Sequence, residues 1–411
     1  MNKIEQLNND MKRMYEQFEM LMGEVRAFQM SIEKELPKIQ KREMKRIKKK
    51  LDVGKQNIES KNITPVSFFY LAHKGIQELT QVGSYSHLSL NSSFLMLMTN
   101  FEYLVKHILK YLVLTYPELI IDKKIQITIQ DIERCKNIEN VKKLLTQTYL
   151  NKFLFQDFNE QLQVIFKFLQ ISKKGLNIDF DLLERANKIR NLLVHNRGII
   201  TDDSLEFLFD VKKEFIGKIY VISAKRLHQI NEEILAFGIV LIFSLASRIG
   251  AKQFLNDGLT NILFDLLCHK YFSATEKIYS SIDHVMPLLD GPTTIVSKIN
   301  YCIALRYLPE KKSTLNKTLT NLKYGHFDPR YEAAICVLKN DKKKFVEVFP
   351  NSDIKLDDWI NWPLFEPWRK DRKLFNQIKH ILKKNTEQET EKQRKEFQKN
   401  FKKLKKKNAK K

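Results

Sequence analysis

Glycine and proline are scarce in this chain: 12 and 10 among 411 residues. Tight turns and strand reversals depend on these two residue types. A chain so poor in both is confined to long helices joined by few sharp reversals. The length allows two or three separately packed cores. With 43% hydrophobic and 29% charged residues, the composition is that of an ordinary globular protein.

The net charge is +23, from 71 Lys and Arg against 48 Asp and Glu. Such an excess favours a polyanionic partner: RNA, DNA or an anionic membrane surface. A Lys-rich composition with no such partner is the competing explanation. Cys135, Cys268, Cys302 and Cys336 are widely spaced and form no CxxC pair, which reads as reduced thiols in a reducing compartment. The first residues, MNKIEQLNNDMKRMYEQ, are polar and contain no apolar signal core. The most apolar run, ILAFGIVLIFSLA at 234–246, is bounded by Glu232, Glu233 and Arg248. It is too short to span a bilayer and reads as a core helix. A cytoplasmic protein without a membrane partner is therefore expected.

Four regions follow from the pattern. Residues 1–62 read as a basic helical segment. Met11, Met14, Phe18, Leu21 and Val25 recur there at helical spacing, a narrow stripe suited to a partner helix. The run KIQKREMKRIKKK at 38–50 is either a solvated helix face or an RNA contact. Residues 63–250 read as a helical-bundle domain. Asn91, Ser92 and Ser93 can cap a helix that runs to about Tyr116 and buries Phe94, Met98, Phe101, Val105, Ile108 and Leu112. Pro117 ends it. Helices are expected at 129–149, 157–171, 182–196 and 223–248. Between the last two, 218–222 reads as a short strand paired in a hairpin with 205–211.

Residues 251–380 alternate amphipathic segments with breaks such as Asp290-Gly291-Pro292 and Asp328-Pro329, the texture of stacked helix pairs. The segment Trp359 to Trp368 holds all 3 tryptophans and resembles the Trp-Pro-Leu-Phe closing segment of some tetratricopeptide-like arrays. Packing at an array end and stacking on bases are its two readings. Residues 381–411 are a Lys-rich tail drawn to polyanions. A nuclear address is the other reading of that tail. The fold class expected is mainly α: a helical bundle with a small β-hairpin, then stacked helix pairs.

The stretch RNLLVHNRG at 190–198 carries the chemistry. On a helix from Leu182 to Asn196, Leu182, Ala186, Ile189 and Leu193 form a core stripe. Glu184, Asn187, Asn191 and His195 lie on the opposite face, and the last three line up, each four residues apart. Arg190 lies to their side and is long enough to curl toward them. Gly198 can supply a left-handed C-cap. A solvated polar face is the plain alternative. Against it, the face shows amides and an imidazole where solubility alone would favour a Lys–Glu ladder.

Arg190 and His195, separated by the four residues Asn191-Leu192-Leu193-Val194, resemble the Arg-x4-6-His signature of the HEPN superfamily, with Asn191 as its polar residue. The resemblance covers about 63–250, and Phe101-Glu102 resembles the acidic position early in such domains. It implies a metal-independent endoribonuclease without a cofactor, in which the substrate 2′-OH attacks the adjacent phosphorus. The products are a 2′,3′-cyclic phosphate and a 5′-OH. His195 would move protons. Arg190 would face the phosphorane oxygens with a planar fork of donors. Asn191 would orient the phosphate or the imidazole. Asn187, Arg197 and Glu102 are the candidate substrate contacts. Arg197 stands where one branch of the family carries a modified Tyr, which speaks against that route of regulation; its plain role is a charge at a helix C-terminus.

The resemblance also implies a homodimer with a composite active site, RNA (tRNA included) as substrate, and service as a toxin or antiviral-defence effector. A regulatory protein partner could bind through 251–380. No HExxH and no glycine-rich phosphate loop occurs in the sequence, so no metal or cofactor is expected. The alternatives are a non-catalytic RNA-binding scaffold and a protein-interaction scaffold built on the same bundle.

Overall fold

The computed structural model describes residues 3–59, 65–116, 118, 128–135, 137–154, 156–322, 328–369 and 371–381. The chain is mainly α, and no strand forms among the described residues. It divides into two compact units: Met1–Phe254 with Ser280–Val285, and Leu255–Tyr279 with Met286–Lys411.

The first unit is built on α1 (Lys3–Glu59), α2 (Pro65–Thr115), α3 (Ile129–Glu133), α4 (Ile138–Leu154), α5 (Phe158–Leu169), α6 (Phe180–His195) and α7 (Ala224–Ile249). Helix α7 is its centre. Ser223 caps the helix by accepting the Arg226 N–H at 3.3 Å, and Gly250 closes it in the left-handed region at φ 78°. Every residue from Glu233 to Ala246 is buried. By length and composition α7 could cross a membrane, but 89% of its most apolar window is buried inside the protein. Helices α1, α2, α5 and α6 pack around it.

The stripe on α1 therefore finds its partners within the chain. Asn8, Met11, Met14, Phe18, Met22, Val25 and Gln29 are buried at steps of three or four residues, while Leu21 is only half-buried. They face α2 and α7. The Asn8 side-chain carbonyl accepts the Phe254 N–H at 2.9 Å, and Asn100 of α2 donates to the Leu21 carbonyl at 3.2 Å.

Helix α2 runs unbroken from Pro65 to Thr115, so Asn91 does not cap a helix start there. Its amide spans to a distant segment instead: Nδ2 donates to the Tyr220 carbonyl at 2.9 Å and Oδ1 accepts the Ile222 N–H at 3.1 Å. The expected apolar stripe from Phe94 to Leu112 is buried.

The segment between α6 and α7 also departs from expectation. The partner of 218–222 is not 205–211. A single antiparallel bridge joins Ile199 to Ile219, flanked by Ile200 N–H to Lys218 O at 2.9 Å and Tyr220 N–H to Gly198 O at 2.7 Å. Residues Asp203–Glu206 coil into a 3-10 turn. The Arg185 guanidinium takes the carbonyls of Phe207 and Leu208, at 3.0 and 2.9 Å, which removes them from any ladder. Phe209 lies between two guanidinium groups, 4.0 Å from Arg185 and 5.1 Å from Arg226.

In the second unit, α8 (Lys252–Cys268) and α9 (Phe272–Ser281) are followed by α10 (Gly291–Arg306), α11 (Lys312–Thr320), α12 (Pro329–Leu338), α13 (Lys342–Val348), α14 (Leu356–Asn361) and α15 (Glu366–Arg369). The Asp-Pro breaks in the sequence are helix starts: Asp290 accepts the Thr293 N–H at 2.7 Å, and Asp328 the Arg330 N–H at 2.9 Å. Helix α10 packs on α11 and α12, and α12 on α13. Residues Ala333 to Leu338 are buried.

Two of the three tryptophans are core, and Trp362 is half-buried against Phe365, ring centres 5.4 Å apart. Trp359 and Trp368 pack with Phe345, Phe349 and Phe365, ring centres 4.7 to 6.3 Å apart. Trp368 donates to Asn340 at 3.0 Å. Both indoles are at most 2% exposed, so neither offers a face to a base. All four cysteines are free thiols; Cys302 and Cys336 are buried and Cys268 is exposed. The expectation for the Lys-rich tail concerns residues outside those described.

Candidate functional site

The site stands on α6. Asp179 starts this helix by accepting the Leu182 N–H at 2.9 Å. Its own N–H donates to the buried Glu233 carboxylate of α7 at 2.7 Å. The residues that α6 buries are Phe180, Leu183, Ala186, Ile189 and Leu192. Leu182 and Leu193, expected in the core stripe, are only half-buried. The difference has a geometric cause. A step of three lags behind 3.6 residues per turn, so the buried line winds round the helix. Helix α6 packs on α2, α5 and α7, and a winding stripe serves all three.

The face left over carries the expected polar residues. Asn187, Arg190, Asn191 and His195 all line one open groove of about 870 Å³. Glu102 of α2 lines it from the facing wall, with Met98, Phe101 and Val105 beneath. The third wall is the start of α5 and the turn before it, Gln156 to Gln163. Arg190 crosses the groove: Nη2 meets Glu102 Oε2 at 3.4 Å, and Nη1 donates to Asn191 Oδ1 at 3.2 Å. Glu102 thus holds Arg190 in place, and Arg190 in turn fixes the Asn191 amide. A second depression, about 380 Å³, lies on the other side of Asn191 and His195 and is lined also by Lys188, Thr201, Asp203 and Phe207. The imidazole therefore stands on a ridge between two hollows at the last residue of α6.

Arg197 does not line either hollow. It holds the turn that ends the helix, at φ 54°, with Gly198 next at φ 71°. The left-handed turn therefore begins one residue before the expected glycine. The Leu192 carbonyl accepts both the Asn196 and the Gly198 N–H, each at 3.0 Å. A Cβ on Gly198 would come within 3.0 Å of Leu193 Cδ2, so the chain passes close to its own helix here.

Several groove residues were not among the candidate contacts, although Glu184 was expected on this face. Glu184 and Lys188 form an i,i+4 ion pair at 3.0 Å, and this hydrogen bond holds the Glu184 carboxyl below its usual range. The polar face thus carries one Glu–Lys rung, which the spacing of the two residues announces. The contribution of Gln156, Asp157, Asn159 and Glu160 comes from the packing of α5 on α6, and no local pattern signals it. The walls hold more negative than positive charge: Glu102, Asp157, Glu160 and Glu184 against Lys188 and Arg190. Among the described residues no group of three or more His, Cys, Asp and Glu is placed to hold a metal ion.

Next to the motif large apolar side chains are exposed among the charged Lys212, Lys213, Glu214 and Lys218. Val194, Ile199, Phe215, Ile216 and Ile219 are all exposed, on the end of α6 and the bridged segment that follows it. Compared with family models, curated proteins and solved structures, the chain finds no match.

Proposed function

We propose that the chain is a HEPN-type endoribonuclease, its first unit a HEPN-like bundle and its second a set of stacked helix pairs. One observation carries the reading: residues chosen from a short sequence pattern, Glu102, Asn187, Arg190, Asn191 and His195, converge on a single groove although Glu102 lies on another helix. In the proposed reaction a ribose 2′-OH gives up its proton and its oxygen attacks the adjacent phosphorus. The bond to the 5′-oxygen breaks, and that oxygen takes a proton. The imidazole of His195 serves one of these proton transfers. Arg190, held by Glu102, faces the negative oxygens of the phosphorane. Asn191 orients the phosphate, with Asn187 one turn behind it.

One copy supplies one imidazole to a reaction with two proton transfers. A second copy, docked through the apolar surface of Val194, Ile199, Phe215, Ile216 and Ile219, would bring the other. Service as a toxin or antiviral-defence effector, with the second unit available to a regulatory protein, follows from the family likeness alone.

The test is cleavage of tRNA and total RNA by the wild type and by His195→Ala in the presence of EDTA. The wild type is expected to release 2′,3′-cyclic phosphate and 5′-OH ends, and the variant to lose at least ~100-fold in rate. Equal cleavage by both proteins, or none by the wild type, would overturn the proposal. The surplus of carboxylates in the groove repels a polyanion and favours a second reading, a non-catalytic scaffold that holds RNA elsewhere. That reading predicts RNA bound with a strong salt dependence and no new ends.

A further inference from the structure

We propose that the middle of α1 is a binding surface for the phosphate backbone of RNA, separate from the groove on α6. The proposal rests on the distribution of charge in the first unit and holds whether or not the groove cuts.

Among the described side chains of α1, Gln29 is the last buried one. Beyond it, Lys34, Lys38, Lys41, Arg42, Lys45, Lys48 and Lys49 are all exposed. At 100° per residue these side chains fall within an arc of about 120°, and at 1.5 Å per residue they cover a length of about 22 Å. They form one continuous basic face. Lys38 pairs with Glu35 at 2.7 Å. No carboxylate pairs with Lys41, Arg42, Lys45, Lys48 or Lys49 among the described residues.

A face built only for solubility alternates its charges. The earlier part of the same helix does so, with Lys12 paired to Glu16. The later part stacks like charges at i,i+3 and i,i+4, as in Lys38/Lys41, Lys41/Lys45 and Lys45/Lys49. Such neighbours repel and weaken a helix. A bound polyanion reverses the sign of that contribution.

The groove makes the placement meaningful. Its walls carry Glu102, Asp157, Glu160 and Glu184 against Lys188 and Arg190, so it offers a polyanion no net attraction. In a chain of net charge +23, the affinity for RNA must come from elsewhere. Residues 38–50 hold eight Lys and Arg and one Glu, and they are a source of it within the first unit, beside the Lys-rich 381–411.

The experiment compares the full-length wild type with a variant carrying Lys41→Gln, Arg42→Gln, Lys45→Gln, Lys48→Gln and Lys49→Gln. Glutamine preserves helix propensity. The probe is a single-stranded, 2′-O-methylated RNA, which lacks the hydroxyl that the proposed cleavage uses. Binding is measured by fluorescence anisotropy over a series of salt concentrations. The slope of log affinity against log salt should become shallower by about 3.5, at ~0.7 for each lost phosphate contact. A change below ~1 overturns the proposal. So does loss of binding to phosphatidylserine vesicles with RNA binding unchanged. A second variant, with the four lysines changed to arginine, keeps the charge and should retain wild-type RNA binding; a loss there would show that the glutamine variant failed through its fold. His195→Ala in the same assay should keep the full slope, so failure of the cleavage reading leaves this result intact.

Discussion

Gly198 shows how much can depend on one residue at this site. It has φ 71°, follows Arg197 at φ 54°, and donates to the carbonyl of Leu192. A side chain there meets both an unfavourable backbone region and Leu193 Cδ2. Gly198→Ala should therefore lower stability by about 1–2 kcal/mol, from the left-handed conformation alone. Urea denaturation followed by circular dichroism measures this, and an unchanged midpoint would show that the turn relaxes. At this scale spacing within one helix placed the polar residues of α6, though not all of its core, since Leu182 and Leu193 are only half-buried. Asn187, Asn191 and His195 stand four apart and do share a face. The Arg190–Glu102 pair joins residues 88 positions apart, and its existence depends on how α2 meets α6. The left-handed Arg197 was also hidden, because the glycine after it already offered an explanation for the turn.

Among the elements, α7 shows how packing overrides local pattern. Gly238 sits in its middle, and a Cβ there would collide with the Phe18 ring of α1 and lie 2.9 Å from Leu104 Cδ2 of α2. The missing side chain lets two other helices rest on the α7 backbone. Gly238→Ala should cost about 1–3 kcal/mol by overpacking, although alanine favours helix. Thermal unfolding gives the sign: a rise in midpoint would mean that helix propensity outweighs the collision. The apolar run within α7 was plain from composition, and so was its place in a core. The reading of α2 was less complete. Asn91, Ser92 and Ser93 have the chemistry of a cap, but the helix continues through them and Asn91 instead fastens the backbone at Tyr220 and Ile222. A polar residue inside a helix and one at its start look alike until the distant partner is known. The hairpin assignment failed for a related reason: Arg185, twenty-two residues before Phe207, captured the carbonyls a strand needed.

For the molecule as a whole, the composite-site proposal makes a simple statement about mass. The chain of 48.7 kDa should sediment at twice that value. The double variant Val194→Lys with Ile219→Lys places charge on the exposed apolar surface beside His195 and should be monomeric and inactive on RNA, with its helix content unchanged. A monomeric wild type that cuts RNA would remove the need for a second copy. Analytical ultracentrifugation and the cleavage assay together decide this. Net charge is only a sum. The basic run at 38–50 was legible in the sequence, but the gathering of carboxylates on the walls of the groove was not, because folding brings α2, α5 and α6 together there.

The burial of α1 against α7 also has a consequence in time. The Asn8 side chain bonds the backbone of Phe254, 246 residues later in the chain. During synthesis Met11, Phe18 and Val25 emerge long before the helix that covers them. At about 5–20 residues per second, the wait is roughly ten to forty seconds. Contacts so distant in sequence also slow the search for the native state. The nascent first helix therefore spends that interval with its apolar stripe uncovered, dependent on α2 alone until the last helix of the unit leaves the ribosome.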